Sequence, residues 1–489
     1  MIKSHENENI EVIIQSMILP NEICDERELY FRTQTSKLVL QKGDSLILEK
    51  NANISTNTYM NCFDMQIWTK YTGVTKYKLV IEACGKGVIR LRSLDSSVLL
   101  AEHFIDTHTP QMHHIEFQKL DGVDIVYFEI ESQEILRVTK ASYVTTLKQK
   151  RKNEVHIDLL ICTYKRNDEL LALLKQIQQS LFFDNNSSLY GAITIRVIDN
   201  ASELDMKNDA YIKNKEYVKI YHNPNTGGSG GFTRGVLESR KEQNKYKTSH
   251  IIFMDDDVQI LNETLYKLHA FLLLATKEYQ NRVIAGRMFR MDAKAIQYTA
   301  SEVWNSGNIV HIGENQDMRQ IEYFKQMNHE LGEYTGWWFG CFPIDFVQRE
   351  LPLPFFLHCD DVEYGLRFGK APLVINGIQV WHETFENRMS PIIIYYDIRN
   401  SLIVNTIHGY FANEKEAWEW WKQRLWSFYG YIAMVDYLKG KTFFEKHQGK
   451  KQLTQMPKII FRMLKPLLWR SLWFRFKKEG STAFESYKT

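Results

Sequence analysis

Asp255-Asp256-Asp257 follows directly on the apolar run Ile251-Ile252-Phe253-Met254, which reads as a buried strand ending in three carboxylates. In an open α/β sheet such a strand delivers its last residues to the carboxyl edge, where ligands bind. Carboxylates this crowded repel one another unless a cation sits among them, and hard oxygen ligands suit Mg²⁺ or Mn²⁺. An ion held there would in turn hold a diphosphate. For a lone acidic triplet a solvated loop is the plain alternative, so its companions along the chain matter.

Five further segments could join it. ICTYKRNDE puts Thr163 at a strand's carboxyl end, where a nucleotide would be held, with Arg166 within reach of a phosphate. Asp168 is suited to cap the helix that follows. VIDNAS ends a second strand with Asp199 and Asn200, placed to recognise a base or ribose, although Asp and Asn also serve as turn residues. HNPNTGGSGGFTRG holds four glycines, Gly227, Gly228, Gly230 and Gly231, within five positions ahead of a helix. Glycines let backbone approach a ligand, and the helix start offers N–H groups to anions. The segment is neither a Walker loop nor a dinucleotide fingerprint, because no Lys-Ser/Thr follows and the spacing differs. Asp360 and Asp361 open a helix in HCDDVEYGLRFG, where a carboxylate can stay ionised and accept a proton from a sugar hydroxyl, or simply cap the helix. His382 ends the strand IQVWH, and a neutral imidazole there would complete a carboxylate metal site. Between these lie Trp337 and Trp338, flanked by Gly336 and Gly340. Indole faces stack on the C–H face of a sugar, though Trp pairs also pack in cores.

These residues need a scaffold that brings strand ends together. From residue 151 to about 400, strand-like runs (HIDLLICTY, ITIRVIDN, VKIYHN, HIIFMD) alternate with helical ones, as in a mostly parallel, Rossmann-like sheet with helices on both faces. Residues 1–150 read instead as an all-β sandwich or jelly-roll built of short strands. LVIEACGKGVIRLRSL predicts a hairpin around Gly85-Lys86-Gly87, with Ile89 and Leu91 alternating against Arg90 and Arg92. Asp64 with Trp68 could form a sugar-binding edge or ordinary surface. The basic run 148–152 marks the hinge. Residues 401–489 form a helical, aromatic and basic region, with no acidic residue from Lys450 to Lys478. Such a surface suits peripheral contact with anionic lipid through 450–478, or a helical pair with a solvated face.

With 489 residues the chain is long for one core, and its 44% apolar and 25% charged content is that of an ordinary soluble protein. A net charge of +2 argues against a dedicated nucleic-acid binder. Six scattered cysteines without a CxxC pair fit a reducing compartment. The polar N-terminus lacks a signal-peptide stretch and no apolar run reaches eighteen residues, so a cytoplasmic location, peripheral at the inner face of the plasma membrane, is expected.

Taken in order, ICTYKR, VIDNAS, NPNTGGSGGFTRG, MDDD, WW, HCDDVEYGLR and VWHE resemble glycosyltransferase family 2 enzymes of GT-A fold, and among them the bacterial galactofuranosyltransferases of the cell-wall galactan type. The resemblance implies that Asp255, Asp257 and His382 hold Mn²⁺ or Mg²⁺, with Asp256 near the nucleotide ribose. Thr163, Arg166, Asp199, Asn225 and the turn at Gly227 and Gly228 would line a UDP pocket, and Trp337 and Trp338 an acceptor groove. Asp361 would be the base, with Asp360 binding acceptor hydroxyls, in an inverting displacement on UDP-galactofuranose. The acceptor would be a cell-surface glycan or lipid-linked sugar, and a homo-oligomer is compatible with all of this. The chain lacks the long C-terminal region of the polymerising enzymes, which leaves polymerisation and single addition both open. A rhamnosyl- or other hexosyltransferase, a nucleotidyltransferase and a non-catalytic carbohydrate-binding protein are the competing functions.

Overall fold

The computed structural model describes residues 9–148, 153–182, 187–204, 216–325, 328–385 and 391–438, with backbone alone for 179–182, 391 and 429–438. The hinge residues 149–152 and the basic stretch 450–478 lie outside the described residues.

Residues 9–148 are mostly strand, with one α-helix at Met65–Thr72 and a single 3-10 turn at Arg27–Leu29. Ile125–Lys148 is central: Lys76–Ser93 pairs along one side of it, while Asn9–Ser16, Ser45–Leu48, Asn53–Ser55 and Phe63–Asp64 pair along the other, all antiparallel. Eight strands thus share one hydrogen-bonded sheet, where a sandwich of short strands was expected. The alternation at Ile89–Arg92 holds, with Ile89 and Leu91 buried and Arg90 and Arg92 paired outward to Glu131 and Glu129.

The hairpin expected at Gly85-Lys86-Gly87 does not form; Lys76–Ser93 runs through it as one strand. Pairing slips there on both sides, and a Cβ on Gly85 would sit 2.2 Å from the Ile135 carbonyl oxygen. The glycines therefore serve a bulge and a close approach of backbone, not a chain reversal. Nor do Asp64 and Trp68 form a surface edge. Trp68 is 1% exposed, and Asp64 is buried at the start of Met65–Thr72, where it accepts a hydrogen bond from Ile67 N at 3.2 Å.

From Ile157 onward strands alternate with helices. Val218–His222, Ile193–Asp199, Ile157–Thr163 and His250–Asp255 lie side by side and parallel, and all but Val218–His222 are buried along almost their whole length, as in a sheet covered on both faces. Gly340–Pro343 is antiparallel to His250–Asp255 and to Ile284–Arg290, and Leu373–His382 runs parallel to the latter. Ile284–Arg290 and Leu373–His382 therefore point the same way as the acidic strand. The helix Asn262–Leu274 is buried on nearly every side, packed between Leu373–His382 and the N-terminal strand Asn9–Ser16. Pro391–Ile407 and Glu414–Leu438 pack together through Ile394, Ile398, Trp418 and Trp421, so part of the aromatic content is a helix-pair core.

Candidate active site

Parallel register brings the strand ends to one edge. Asp199 is level with Thr163 and His222, and Asp255 with Cys162. After the acidic triplet the chain forms a short strand, Gln259–Ile260, which pairs with Trp381 and Val380. That pairing carries Asp257 to the last residue of the neighbouring strand. His382 Nε2 lies 3.0 Å from Asp257 Oδ1 and 3.6 Å from Asp255 Oδ2.

One ligand atom each from Asp255, Asp257 and His382 fit within 4.8 Å of one another. The His382 Nδ1–H donates to the Glu383 carbonyl at 2.6 Å, which leaves the Nε2 lone pair turned toward the carboxylates. Burial pushes the Asp255 carboxyl up to about 7; the imidazole opposes this and the neighbouring carboxylates reinforce it. Two hard carboxylates and one imidazole with a fixed tautomer are a donor set that fits Mg²⁺ or Mn²⁺. Arg166 closes the cluster, 2.5 Å from Asp257 and 3.2 Å from Asp256. Asp256 faces inward, 5% exposed, and burial raises it above the usual carboxylate range. The Thr163 hydroxyl lies close enough to oppose that rise, yet neither Thr163 Oγ1 nor Asp256 Oδ2 has a well-formed hydrogen bond.

The glycine segment is not a loop. Gly227–Lys241 is helix from its first glycine, and the glycines let it press on its neighbours. At Gly227 φ is +70°, and a Cβ would lie 2.0 Å from the Phe356 carbonyl oxygen; on Gly231 it would lie 2.2 Å from Cys162 Sγ. The close fit brings Ser229 Oγ within 3.0 Å of Asp360 Oδ2, which accepts its proton.

Asp360 and Asp361 begin the helix Asp360–Phe368, as the sequence suggests. Burial, then the charges of Asp360 and Glu302, push Asp361 well above the ordinary carboxylate range, and Asp255 is near enough to contribute. The charges of Asp256, Asp255, Asp360 and Asp199 all add to the rise that burial gives the Cys162 thiol, so both carboxylate groups lie near the end of Ile157–Thr163. Ser229 and Glu302 were absent from the sequence reading. Ser229 lay in plain view inside GGSGG, whereas nothing in TASEVW marks Glu302.

Other expected contacts fall differently. Asp199 is 1% exposed and saturated, accepting from the backbone N–H groups of Ala201, Ser202 and Leu204 at 2.9–3.0 Å and lying 3.2 Å from His222 Nδ1. It organises the turn after its strand, the alternative kept for an Asp at such a position. Asn200 and Asn223 brace the glycine helix, Asn200 donating to the Gly227 carbonyl at 2.9 Å. Asn225 is exposed and accepts from Gly227 N at 3.1 Å. Trp337 and Trp338 are 5% and 4% exposed. The Trp337 ring is enclosed by Phe232, Phe253 and Tyr364, and Trp338 Nε1 donates to the Gly286 carbonyl at 2.9 Å. Neither presents an open face for a sugar. Trp337 instead ties together the glycine helix, the acidic strand and the Asp360–Phe368 helix.

Residues 158–339 match the family described as Glycosyl transferase family 2, and residues 14–146 match Galactofuranosyltransferase 2 N-terminal. The Galactofuranosyltransferase GlfT2 of Mycolicibacterium smegmatis (strain ATCC 700084 / mc(2)155) is 22% identical over 419 residues, covering 80% of this chain and 63% of that protein. That of Mycobacterium tuberculosis (strain ATCC 25618 / H37Rv) is 22% identical over 425 residues, covering 80% and 64%. The chain thus spans a little under two thirds of the length of these relatives. The strand ends, the acidic triplet and the paired helix-start aspartates thus lie within a chain that carries a glycosyl transferase family 2 domain behind a galactofuranosyltransferase 2 N-terminal domain.

Proposed function

We propose that this protein transfers a galactofuranosyl residue from UDP-galactofuranose to a hydroxyl of a glycan or lipid-linked acceptor, with inversion at the anomeric carbon. The observation that carries the proposal is the convergence of two carboxylate groups on one strand edge, Asp255 and Asp257 with His382 on one side and Asp360 and Asp361 on the other. A family 2 domain and relatives named for galactofuranosyl transfer support galactofuranose as the sugar.

When bound, a divalent cation would neutralise charge developing on the departing UDP. Asp255, Asp257 and His382 would hold it. Arg166, already beside the triplet, is placed to pair with a phosphate, and Asp256 and Thr163 offer polar atoms without well-formed partners to the nucleoside. Asp361 removes the proton from the attacking hydroxyl, and its raised pKa makes it a stronger base once ionised. Asp360, fixed by Ser229, binds acceptor hydroxyls. The electron pair of the new glycosidic bond comes from the acceptor oxygen, and the bond to UDP breaks on the opposite face.

Purified protein supplied with a panel of nucleotide sugars and a galactofuranosyl acceptor tests the donor. UDP release fastest from UDP-galactofuranose supports the proposal; faster turnover of a rhamnosyl or other hexosyl donor would replace the sugar. Among the described residues no helix is long and apolar enough to cross a membrane. Contact of 450–478 with anionic lipid is proposed on composition alone. Vesicle flotation of the full chain and of one ending at 449 checks it, equal flotation counting against it.

A further inference from the structure

The chain ahead of Asp360 is strained. Phe356, His358 and Cys359 have φ of +74°, +63° and +61°, and none of them is glycine. Side chains in this region crowd their own backbone, and such conformations persist only where the surroundings over-determine them. The side chain that spans the strained run is Asn400. It is fully buried on the helix Pro391–Ile407, beyond the last strand of the sheet. Its Nδ2 donates to the carbonyl oxygens of Leu357 at 2.6 Å and His358 at 2.8 Å, with Phe355 at 3.2 Å sharing a proton. Arg399 Nη1 donates to Asn400 Oδ1 at 2.6 Å, which fixes the amide orientation that these three bonds require. Next along the helix, Ser401 Oγ lies 3.7 Å from Cys359 Sγ.

The same helix reaches the other side of the base. Asn405 Oδ1 accepts from Trp304 Nε1 at 2.8 Å, and Trp304 sits on the strand Glu302–Asn305, whose Glu302 adds its charge to Asp361. Asp397 pairs with Arg424 at 3.1 Å and anchors the helix to Glu414–Leu438. On the loop's far side, Gly227 abuts the Phe356 carbonyl so closely that no side chain fits.

We infer that Asn400 is a positioning residue for the transfer: its carboxamide holds residues 355–358 in a left-handed bend that aims Asp360 and Asp361 into the cleft. This deepens the proposed function and rests on Asp361 being the base. The donor residues 163–166 and 255–257 stand on other elements and are held by contacts of their own, Arg166 to Asp256 and Asp257 and His382 to Asp255 and Asp257, so loss of the clamp should act mainly on the acceptor side.

The test uses the full chain with UDP-galactofuranose, Mn²⁺ and a galactofuranosyl acceptor, together with calorimetric binding of UDP. Asn400→Ala and the isosteric Asn400→Asp should each lower kcat by about tenfold or more, while the donor KM and UDP affinity stay within about twofold. Arg399→Met, which leaves Asn400 in place but frees its amide oxygen, should give a smaller loss of the same kind. Glycine adopts the left-handed conformation without strain, so His358→Gly should recover part of the rate in an Asn400→Ala background, by about threefold or more, and restore folding if the single variant is unstable. Asn400 variants that transfer at the normal rate would overturn the inference. So would a loss of UDP binding in step with transfer, or no recovery from His358→Gly. A wild-type chain that binds UDP with Mn²⁺ yet transfers no galactofuranose would instead count against the proposed function.

Discussion

His382 Nε2 comes within 3.0 Å of Asp257 and 3.6 Å of Asp255 although 125 residues of chain separate it from Asp257. Residue types suggest such a pairing, since an imidazole at one strand end and an acidic triplet at another can both supply ligands, and the family resemblance is what singles out these three residues. Burial was not legible, and it decides the other residues: Asp199 spends its carboxylate on a turn, and Trp337 lies in the core. At this scale the proposed base, Asp361, is the sharpest target. Asp361→Asn keeps shape and removes the proton acceptor, so transfer should fall by roughly a thousandfold while UDP binding persists, as steady-state rates and calorimetry would register. Glu302 raises the Asp361 pKa through its charge. Glu302→Gln should therefore let Asp361 ionise at lower pH, moving the acidic limb of the kcat/KM profile toward acid; an unmoved limb would mean that Asp361 is not the group titrating.

The glycine helix and the acidic strand were expected as elements, and both exist, but the role of the glycines differs. A run of small residues signals close approach without saying to what, and here it is Cys162 and the Phe356 loop. Gly231→Ala should destabilise the fold by about 1–3 kcal/mol through overpacking, and Cys162→Ala should return much of that in the double variant. Denaturant titrations of the four proteins measure the coupling. The acidic strand starts at His250, buried and donating to the Gln280 carbonyl at 2.9 Å. Burial lowers its pKa from 6.5 to about 4. A folded-state pKa below the unfolded one means stability present above pH 6.5 and lost as pH falls toward 4, by roughly 3 kcal/mol at most. The stability gap between wild type and His250→Gln should then narrow across that window, as melts from pH 7 to 4.5 would record.

Over the whole molecule, the sequence character changes near residue 150, and buried residues from both sides of that change pack into one core. Lys267, buried on Asn262–Leu274, donates to Gln15 Oε1 at 2.6 Å and to the Asn376 carbonyl at 2.7 Å, and Tyr59 OH donates to Gln379 at 3.1 Å. Sequence could not reveal this, because a lone Lys in an apolar helix or a lone Gln in a strand carries no sign of its distant partner. Lys267→Met should cost roughly 3 kcal/mol by leaving buried acceptors unpaired, and the full chain should unfold in one transition. The proposed function requires donor diphosphate and base on opposite sides of the sugar. Its most direct test is product analysis with UDP-galactofuranose, acceptor and Mn²⁺. We expect UDP and an acceptor one galactofuranose heavier with inverted anomeric configuration, both lost in excess chelator and in Asp361→Asn. Undiminished transfer under either condition would contradict it.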